Sequence, residues 1–352
     1  MDYYSSKGLM MKPVFDKSFF QLCNVPVPEG YPQSQTHVGV KKEGDAIILT
    51  TSPFPSVVRE RFDIYMRAAL HKASFGLLCK SIRGECYENP LIYSSIDGLD
   101  FTLMQSRPLM EKPDPYYGLP AFNSDPDLFV EGNHIYVLNR AIYRTKLTPE
   151  RKRDEYEIRI FLIKGQLDKG RFKYYSTTLL KETTDLIVSP CITKYRGRYL
   201  YLSLWTNCYN DGESFDGMRY VTANTVEGLS EEDSWQSVEV VSDKWIPWHM
   251  SVFSYKDRLF SIVACVEKGY PHKCWQMFGE FSEDLTKMTI YPNPLTDYNS
   301  YRGAAYVDDN GNFVLYTTTV GERIKGGKSC DGREVLMAKM KFELLLKRVS
   351  EE

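Results

Sequence analysis

The chain has 352 residues, of which 43% are hydrophobic and 26% are charged, and its formal net charge is −2. This composition is that of a globular protein with a core of good size, and the length permits one large all-β domain. Because the chain has neither a positive net charge nor a run of Lys and Arg, no nucleic-acid partner is expected. No stretch approaches the roughly 18 apolar residues of a membrane helix, so no membrane partner is expected either.

The cysteines and the N-terminal residues bear on cofactors and localisation. The eight cysteines include no C-x-x-C pair, which argues against a zinc or redox motif. Several, such as Cys79 and Cys265, lie in apolar runs and are interpreted as buried free thiols of a reducing compartment. The N-terminal residues MDYYSSKGLMMKPVFDK lack the apolar stretch of a signal peptide. We therefore expect cytoplasmic synthesis, with lysis or association with a virion as routes out of the cell.

Two segments near the N-terminus stand apart from the rest of the pattern. Residues 1–30 form an arm that is expected either to supply an outer strand closing the last blade described below, or to be a disordered or partner-binding segment. The segment RERFDIYMRAALHKA at 59–73 is the best helical candidate, interpreted as an insertion or a long strand. Residues 347–352 form a C-terminal tail.

One pattern recurs five times along the chain. It consists of a polar residue, a strand, a tight turn with Gly, Asn or Asp, and a second strand rich in aromatic or β-branched residues. Such turns supply the positive φ of short hairpins. The copies open at His37, Asp125, Ser189, His249 and Arg302, with turns at Gly44, Gly132, Gly197, Asp257 and Asn310. A four-stranded blade needs about 40 to 50 residues, so the spacing predicts an all-β, five-bladed β-propeller over residues 31–346.

Further strands complete each antiparallel blade. The segments YEIRIFLIKG (156–165), CWQMFGEFS (274–282) and EVLMAKM (335–341) alternate well enough to be third strands. Outer strands are predicted to follow SSIDGLDF (94–101) and FSEDLTKM (281–288), each of which places a Ser and an Asp before a bulky apolar residue.

Several short motifs resemble those of five-bladed propeller glycosidases, the clan that includes glycoside hydrolase families 43, 62 and 117. NSDPDLFV (123–130) resembles their D-P-x-x-F motif, and ENPLIYSSIDGLDF (88–101) is similar to their outer-strand pattern. WIPWHMSVF (245–253) and YRGAAYVDDNG (301–311) resemble blade-four and blade-five openings of uncharacterised bacterial and phage relatives. The resemblance covers about residues 31–346 and implies a carbohydrate ligand in the central funnel.

The resemblance also implies where the site lies. In such propellers the first residues of the innermost strands ring the top of the funnel, and here these are His37, Asp125, Ser189, His249 and Arg302. Asp125 matches the blade-two Asp that orients the substrate and tunes the acid in family 43. The family's general base is an Asp in blade one, where this chain has His37. Its general acid is a Glu in blade three, where this chain has Ser189.

Hydrolysis with inversion needs a base that activates water and an acid that protonates the leaving oxygen, about 6.5–9.5 Å apart. Asp125 is the candidate base. His249 or His37 is the candidate acid, because imidazole titrates near neutrality and a neighbouring carboxylate would retain its proton. Some family 117 enzymes are thought to use a His as the acid, which is a precedent by resemblance.

The remaining candidates are substrate-binding residues. Arg302 could clamp Asp125 or an acidic sugar with its bidentate fork. Glu88 and Asp127 are spare carboxylates, and Ser189 is interpreted as a small residue that leaves room. The aromatic residues expected to stack on a sugar ring are Trp248, Trp205, Tyr301 and Tyr143.

A metal ion is a further alternative. Two histidines and an Asp around one axis could hold a divalent ion, and some members of the clan carry calcium in the funnel. No H-x-x-x-H or similar pair occurs, so the sequence predicts no metal and no other cofactor.

Three functions remain open on the sequence. The favoured one is a glycoside hydrolase-like protein that acts on an oligosaccharide, with an Asp base and a His acid. The alternative is a catalytically inactive carbohydrate-binding or structural propeller, such as a phage component, because two expected carboxylates are missing. A propeller that binds only proteins is the third, and the polar ring disfavours it.

Overall fold

A computed structural model describes most of the chain. The described residues are 12–32, 34–54, 88–105, 107–111, 113, 121–146, 155–206, 215–268, 270–296, 300–318 and 334–351. The helical candidate at 59–73 and Cys79 lie outside them. Within the described ranges no helix is long and apolar enough to cross a membrane.

Strands make up most of the described residues. In chain order they are β1 (Gln21–Leu22), β2 (Ser34–Glu43), β3 (Ala46–Phe54), β4 (Leu91–Ser95), β5 (Thr102–Leu103), β6 (Ala121–Glu131), β7 (His134–Lys146), β8 (Glu155–Asp168), β9 (Arg171–Thr183), β10 (Ile187–Tyr195), β11 (Arg198–Thr206), β12 (Phe215–Ala223), β13 (Gln236–Val241), β14 (Trp245–Tyr255), β15 (Arg258–Glu267), β16 (Tyr270–Phe281), β17 (Lys287–Ile290), β18 (Ala304–Val307), β19 (Asn312–Thr318) and β20 (Val335–Lys341). The α-helix α1 (Phe342–Ser350) follows β20, and short 3₁₀ helices cover Lys17–Phe19 and Glu227–Ser230.

Antiparallel meanders of four strands are the repeating unit. One sheet contains β2 to β5, and a second contains β6 to β9. The meanders β10–β13 and β14–β17 share one eight-stranded sheet, because their outer strands β13 and β17 pair in parallel with Glu239 opposite Lys287. The last sheet contains β18, β19 and β20, and β1 from the N-terminal arm is its fourth strand, with Gln21 opposite Met337.

The first strands of the meanders surround a common axis. β2 contacts β6, β6 contacts β10, β10 contacts β14, β14 contacts β18, and β18 contacts β2. The chain therefore closes on itself, which removes the open sheet edges that a long array would expose. This closure also allows side chains from distant parts of the sequence to meet at the axis.

Hairpin turns join the first and second strands. Gly44 and Gly132 have φ of 57° and 58°, which a side chain with a Cβ rarely adopts. The predicted third strands coincide with parts of β8, β16 and β20, except that β16 ends one residue before the predicted segment does. β5 follows the first predicted outer-strand turn, and β17 begins at Lys287, near the end of the second.

The hydrophobic core is divided among the spaces between neighbouring sheets. For example, Leu202 packs in one cluster with Val263 and Trp275, which joins the third and fourth meanders. Leu345 and Val349 of α1 are fully buried in another cluster, against the last two meanders. Each sheet thus buries side chains on both of its faces, and this burial fixes the pairing register of its strands.

Candidate functional site

Three of the predicted ring residues share an unusual backbone conformation. His37, Asp125 and Ser189 have φ of 51°, 48° and 50°, in the left-handed region that non-glycine residues rarely adopt. Each lies in a β-bulge of its first strand. In β14 the bulge lies between Pro247 and His249. Bulges re-aim side chains, and strained residues cluster at functional sites, so this repeated irregularity marks the ring as a candidate site.

Asp125 lies at the centre of the ring and is fully buried, with 0% of its surface exposed. Its Oδ1 is 2.9 Å from His37 Nε2 and 2.9 Å from the Ser124 hydroxyl oxygen. Its Oδ2 accepts a hydrogen bond from the Ser189 backbone N–H at 2.9 Å and lies 3.0 Å from Arg140 Nη2. Both carboxylate oxygens are therefore held by protein groups.

His37 is 3% exposed and lies between two carboxylates. Its Nε2 faces Asp125, and its Nδ1 is 3.5 Å from Glu88 Oε2. Neither ring nitrogen has the alignment of a hydrogen bond to a described residue. Glu88 is itself held by the Ser124 hydroxyl, which donates to Glu88 Oε2 at 2.5 Å.

His249 is 1% exposed and is held through both ring nitrogens. Its Nδ1 is 2.6 Å from the Ser189 hydroxyl and 3.7 Å from Asp125 Oδ2, and its Nε2 is 2.9 Å from the Tyr301 hydroxyl. Trp248 also donates to the Tyr301 hydroxyl, at 3.4 Å. Trp248 and Tyr301 are half-buried, so these two aromatic rings form a partly exposed side of an otherwise buried cluster.

Burial and Arg140 set the charges of the cluster. Burial alone would raise the pKa of Asp125, but the Arg140 guanidinium and the two imidazoles hold it well below its usual value. Burial lowers the pKa of His249 well below its usual value, against the attraction of Asp125. Burial also raises the pKa of Glu88, with His37 opposing. The cluster therefore contains an ionised Asp125 and a neutral His249 at neutral pH.

Arg302 and Asp127 form a second layer that the structure separates from Asp125. Arg302 Nη2 is 3.0 Å from Asp127 Oδ1, and Arg302 Nη1 donates to the Pro126 carbonyl at 2.7 Å. Asp127 Oδ2 accepts a hydrogen bond from the Ile192 backbone N–H at 2.9 Å. The predicted Arg302 clamp on Asp125 is therefore not formed, because the guanidinium that contacts Asp125 is that of Arg140.

The predicted stacking residues are divided between the site and the core. Trp248 and Tyr301 lie beside His249, with ring centroids 5.1 Å and 4.7 Å from its imidazole. Trp205 packs edge-on against Trp235 at 5.1 Å in the core between the second and third meanders. Tyr143 is also buried, under the Arg159 guanidinium.

Sequence analysis did not select Arg140 or Ser124, although both contact Asp125 and they lie opposite each other in the β6–β7 pair. A signal for Arg140 was present in the strand HIYVLNRAIYRTK, because only Asn139 separates this cation from the apolar run IYVL, and AIY follows it. A cation inside a buried strand requires a buried anion as its partner.

Comparisons with known proteins support the fold. No protein-family model and no curated protein matches the chain. Among solved structures, an N-acetylgalactosamine deacetylase from F. plautii, in complex with blood group B trisaccharide, is similar with a TM-score of 0.60 and 14% identity, covering 96% of this chain and 97% of that one. A family 43 β-xylosidase/α-arabinofuranosidase from a compost metagenome, in complex with xylotriose, is similar with a TM-score of 0.54 and 12% identity, covering 94% and 93%.

A third similar structure, the xylan β-1,4-xylosidase of Bacillus halodurans, has a TM-score of 0.58 and 13% identity, and the match covers 88% of this chain but 53% of that one. The chain therefore has the fold of the β-propeller glycoside hydrolases. At these identities the similarity concerns the fold, and the reaction must be argued from the site.

Proposed function

We propose that this chain is a five-bladed propeller hydrolase that acts on a saccharide bound at the axis. The observation that carries the proposal is the convergence of His37, Asp125 and His249 next to two half-buried aromatic rings. In this proposal Trp248 and Tyr301 contact the sugar, because aromatic faces pack on its C–H groups while the Tyr301 hydroxyl remains a polar handle. The similar structures that hold a trisaccharide and xylotriose support a carbohydrate as the ligand.

The distances favour one reaction class over another. An inverting pair needs about 6.5–9.5 Å between acid and base so that water and the sugar fit between them. Asp125 Oδ2 and His249 Nδ1 are 3.7 Å apart, so they do not have the spacing of the Asp base and His acid that the sequence predicted. Because both oxygens of Asp125 also lie within 3.0 Å of protein groups, its role in the proposal is to orient the two imidazoles.

We therefore favour hydrolysis of an acyl substituent on the sugar, an amide or an ester, over cleavage of the glycosidic bond. A compact group of two imidazoles around one buried carboxylate is suited to the attack of water on a carbonyl carbon. The similarity to a deacetylase over nearly the full length of both chains supports this preference.

The test is a screen of the purified chain against oligosaccharides with and without acetyl groups, measuring acetate and reducing ends separately. We expect acetate release without new reducing ends. His249→Gln and Asp125→Asn should each lower the rate at least about 100-fold, and His134→Gln, at the start of β7 away from the ring, is the matched control.

Three results would contradict the proposal in different ways. Release of reducing ends without acetate would show that the chain cleaves the glycosidic bond and not an acyl substituent. Sugar binding without turnover would establish the non-catalytic alternative. If both variants are folded by circular dichroism and still turn over substrate at the rate of the unaltered chain, the ring residues do not take part in the reaction.

A further inference from the structure

Three side chains of the ring have the chemistry of metal ligands. One donor atom from each of His37, Asp125 and His249 lies within 4.8 Å of the other two, and all three residues are buried. We propose that these residues bind a divalent metal ion of the zinc type. Local sequence spacing cannot reveal such a site, because its ligands come from β2, β6 and β14.

The separations of the donor atoms fit this ion. Zinc bonds to nitrogen and oxygen are about 2.0–2.2 Å long, so neighbouring ligand atoms of a tetrahedral site are about 3.4 Å apart. His37 Nε2 and Asp125 Oδ1 are 2.9 Å apart, and Asp125 Oδ2 and His249 Nδ1 are 3.7 Å apart. These separations are measured to the two different oxygens of the Asp125 carboxylate, and they lie on either side of the tetrahedral value.

His37 has a buried imidazole whose short contact with Asp125 does not have the alignment of a hydrogen bond. Its imidazole is 3% exposed, and neither nitrogen makes an aligned hydrogen bond within the described part of the chain. Leaving a buried polar atom unsatisfied costs about 1–3 kcal/mol, so such atoms in native proteins require an explanation. A metal ion on Nε2 would satisfy this nitrogen.

Neighbouring groups hold the ligands as they do in metal sites. Metal-binding imidazoles usually present their second nitrogen to a carboxylate or another polar group, which fixes the tautomer. Glu88 faces Nδ1 of His37 at 3.5 Å, and the Tyr301 hydroxyl lies 2.9 Å from Nε2 of His249. Nδ1 of His249 would then exchange the Ser189 hydroxyl for the ion.

The donor set selects the class of ion. Two nitrogens and one oxygen suit zinc and similar transition metals, whereas calcium prefers six to eight oxygen ligands. Arg140 contacts Asp125 and opposes a cation, so we expect it to weaken binding without preventing it.

A zinc-type ion would supply a Lewis acid and an activated water for carbonyl hydrolysis. The inference therefore deepens the proposed function, but ion binding is measured without a substrate. Failure to find turnover would count against the proposed hydrolase and leave the metal site intact. Failure to bind an ion would remove the metal site and leave the saccharide proposal to its own test.

The experiment uses the full chain after treatment with a chelator and gel filtration. Calorimetric titration with zinc chloride should give one ion per chain, and cobalt(II) should give the visible absorption of a tetrahedral site. His37→Gln and His249→Gln should each weaken binding at least about 100-fold, and Glu88→Gln should weaken it about tenfold. His134→Gln is the matched control and should bind as the unaltered chain does.

A second measurement covers the case in which a ligand variant fails to fold. Crystals of the unaltered chain soaked in zinc should show anomalous density between His37, Asp125 and His249 at the zinc absorption edge. The inference is wrong if the unaltered chain binds no zinc at micromolar concentrations, if the folded variants bind as tightly as the control, or if the anomalous peak lies elsewhere.

Discussion

Arg302 joins parts of three meanders at the axis, so replacing it tests whether the fold depends on this buried ion pair. Arg302→Met keeps most of the apolar stem but removes the donors to Asp127 Oδ1 and to the Pro126 carbonyl. Asp127 would keep the hydrogen bond from the Ile192 N–H but would lose its closest cation. Both members of the pair are buried, with Arg302 0% exposed.

The expected loss follows from this burial. Removing one partner of a buried ion pair leaves an uncompensated charge and destabilises proteins by about 3–5 kcal/mol. The matched control is Arg196→Met, because Arg196 pairs with Glu283 at 3.2 Å with both side chains largely exposed. An exposed pair is worth about 1 kcal/mol or less. Adding Asp127→Asn to Arg302→Met removes the buried charge and should recover part of the loss.

Urea denaturation followed by tryptophan fluorescence gives the free energy of unfolding of each variant. We expect a clear difference between Arg302→Met and Arg196→Met at an unchanged denaturant slope. Equal losses in the two variants would refute the reasoning, and so would a double variant less stable than Arg302→Met alone, because the stability would then not depend on the buried charge.

Two further predictions concern the last meander. Although burial would raise it, the pKa of Asp308 is lowered to about 2, chiefly by Lys339. This carboxylate therefore stabilises the fold above pH about 4 and loses that contribution as the pH falls through about 2. Asp308→Asn should lower the free energy of unfolding by about 1 kcal/mol and make it depend less on pH in acid. The control is Asp309→Asn, on the exposed neighbour, which should show neither effect. A Cβ on Gly303 would lie 2.7 Å from the Tyr316 carbonyl oxygen, so Gly303→Ala should destabilise by about 1–3 kcal/mol; a melting temperature equal to that of Gly228→Ala would contradict this.

Local sequence patterns were sufficient for the repeating hairpins. Turns and strand alternation depend on neighbouring residues, so they can be read from the sequence alone, as at Gly44, at Gly132 and in the strand 156–165. The resemblance to the propeller glycosidases, and not the local pattern alone, implied that the opening residues of the repeats meet at the axis. The eight-stranded sheet was not predicted, since the parallel pairing of β13 with β17 joins segments of two different repeats.

The tertiary structure decided which of these residues are partners. The sequence analysis placed Arg302 and Asp125 at equivalent ring positions, but in the folded chain Arg302 contacts Asp127, whereas Arg140 contacts Asp125. The tertiary structure likewise places Trp205 in the core and Trp248 beside His249. Local turn chemistry determines each hairpin by itself, whereas the partner of a buried charge depends on which strands the closed ring brings within about 3 Å of one another.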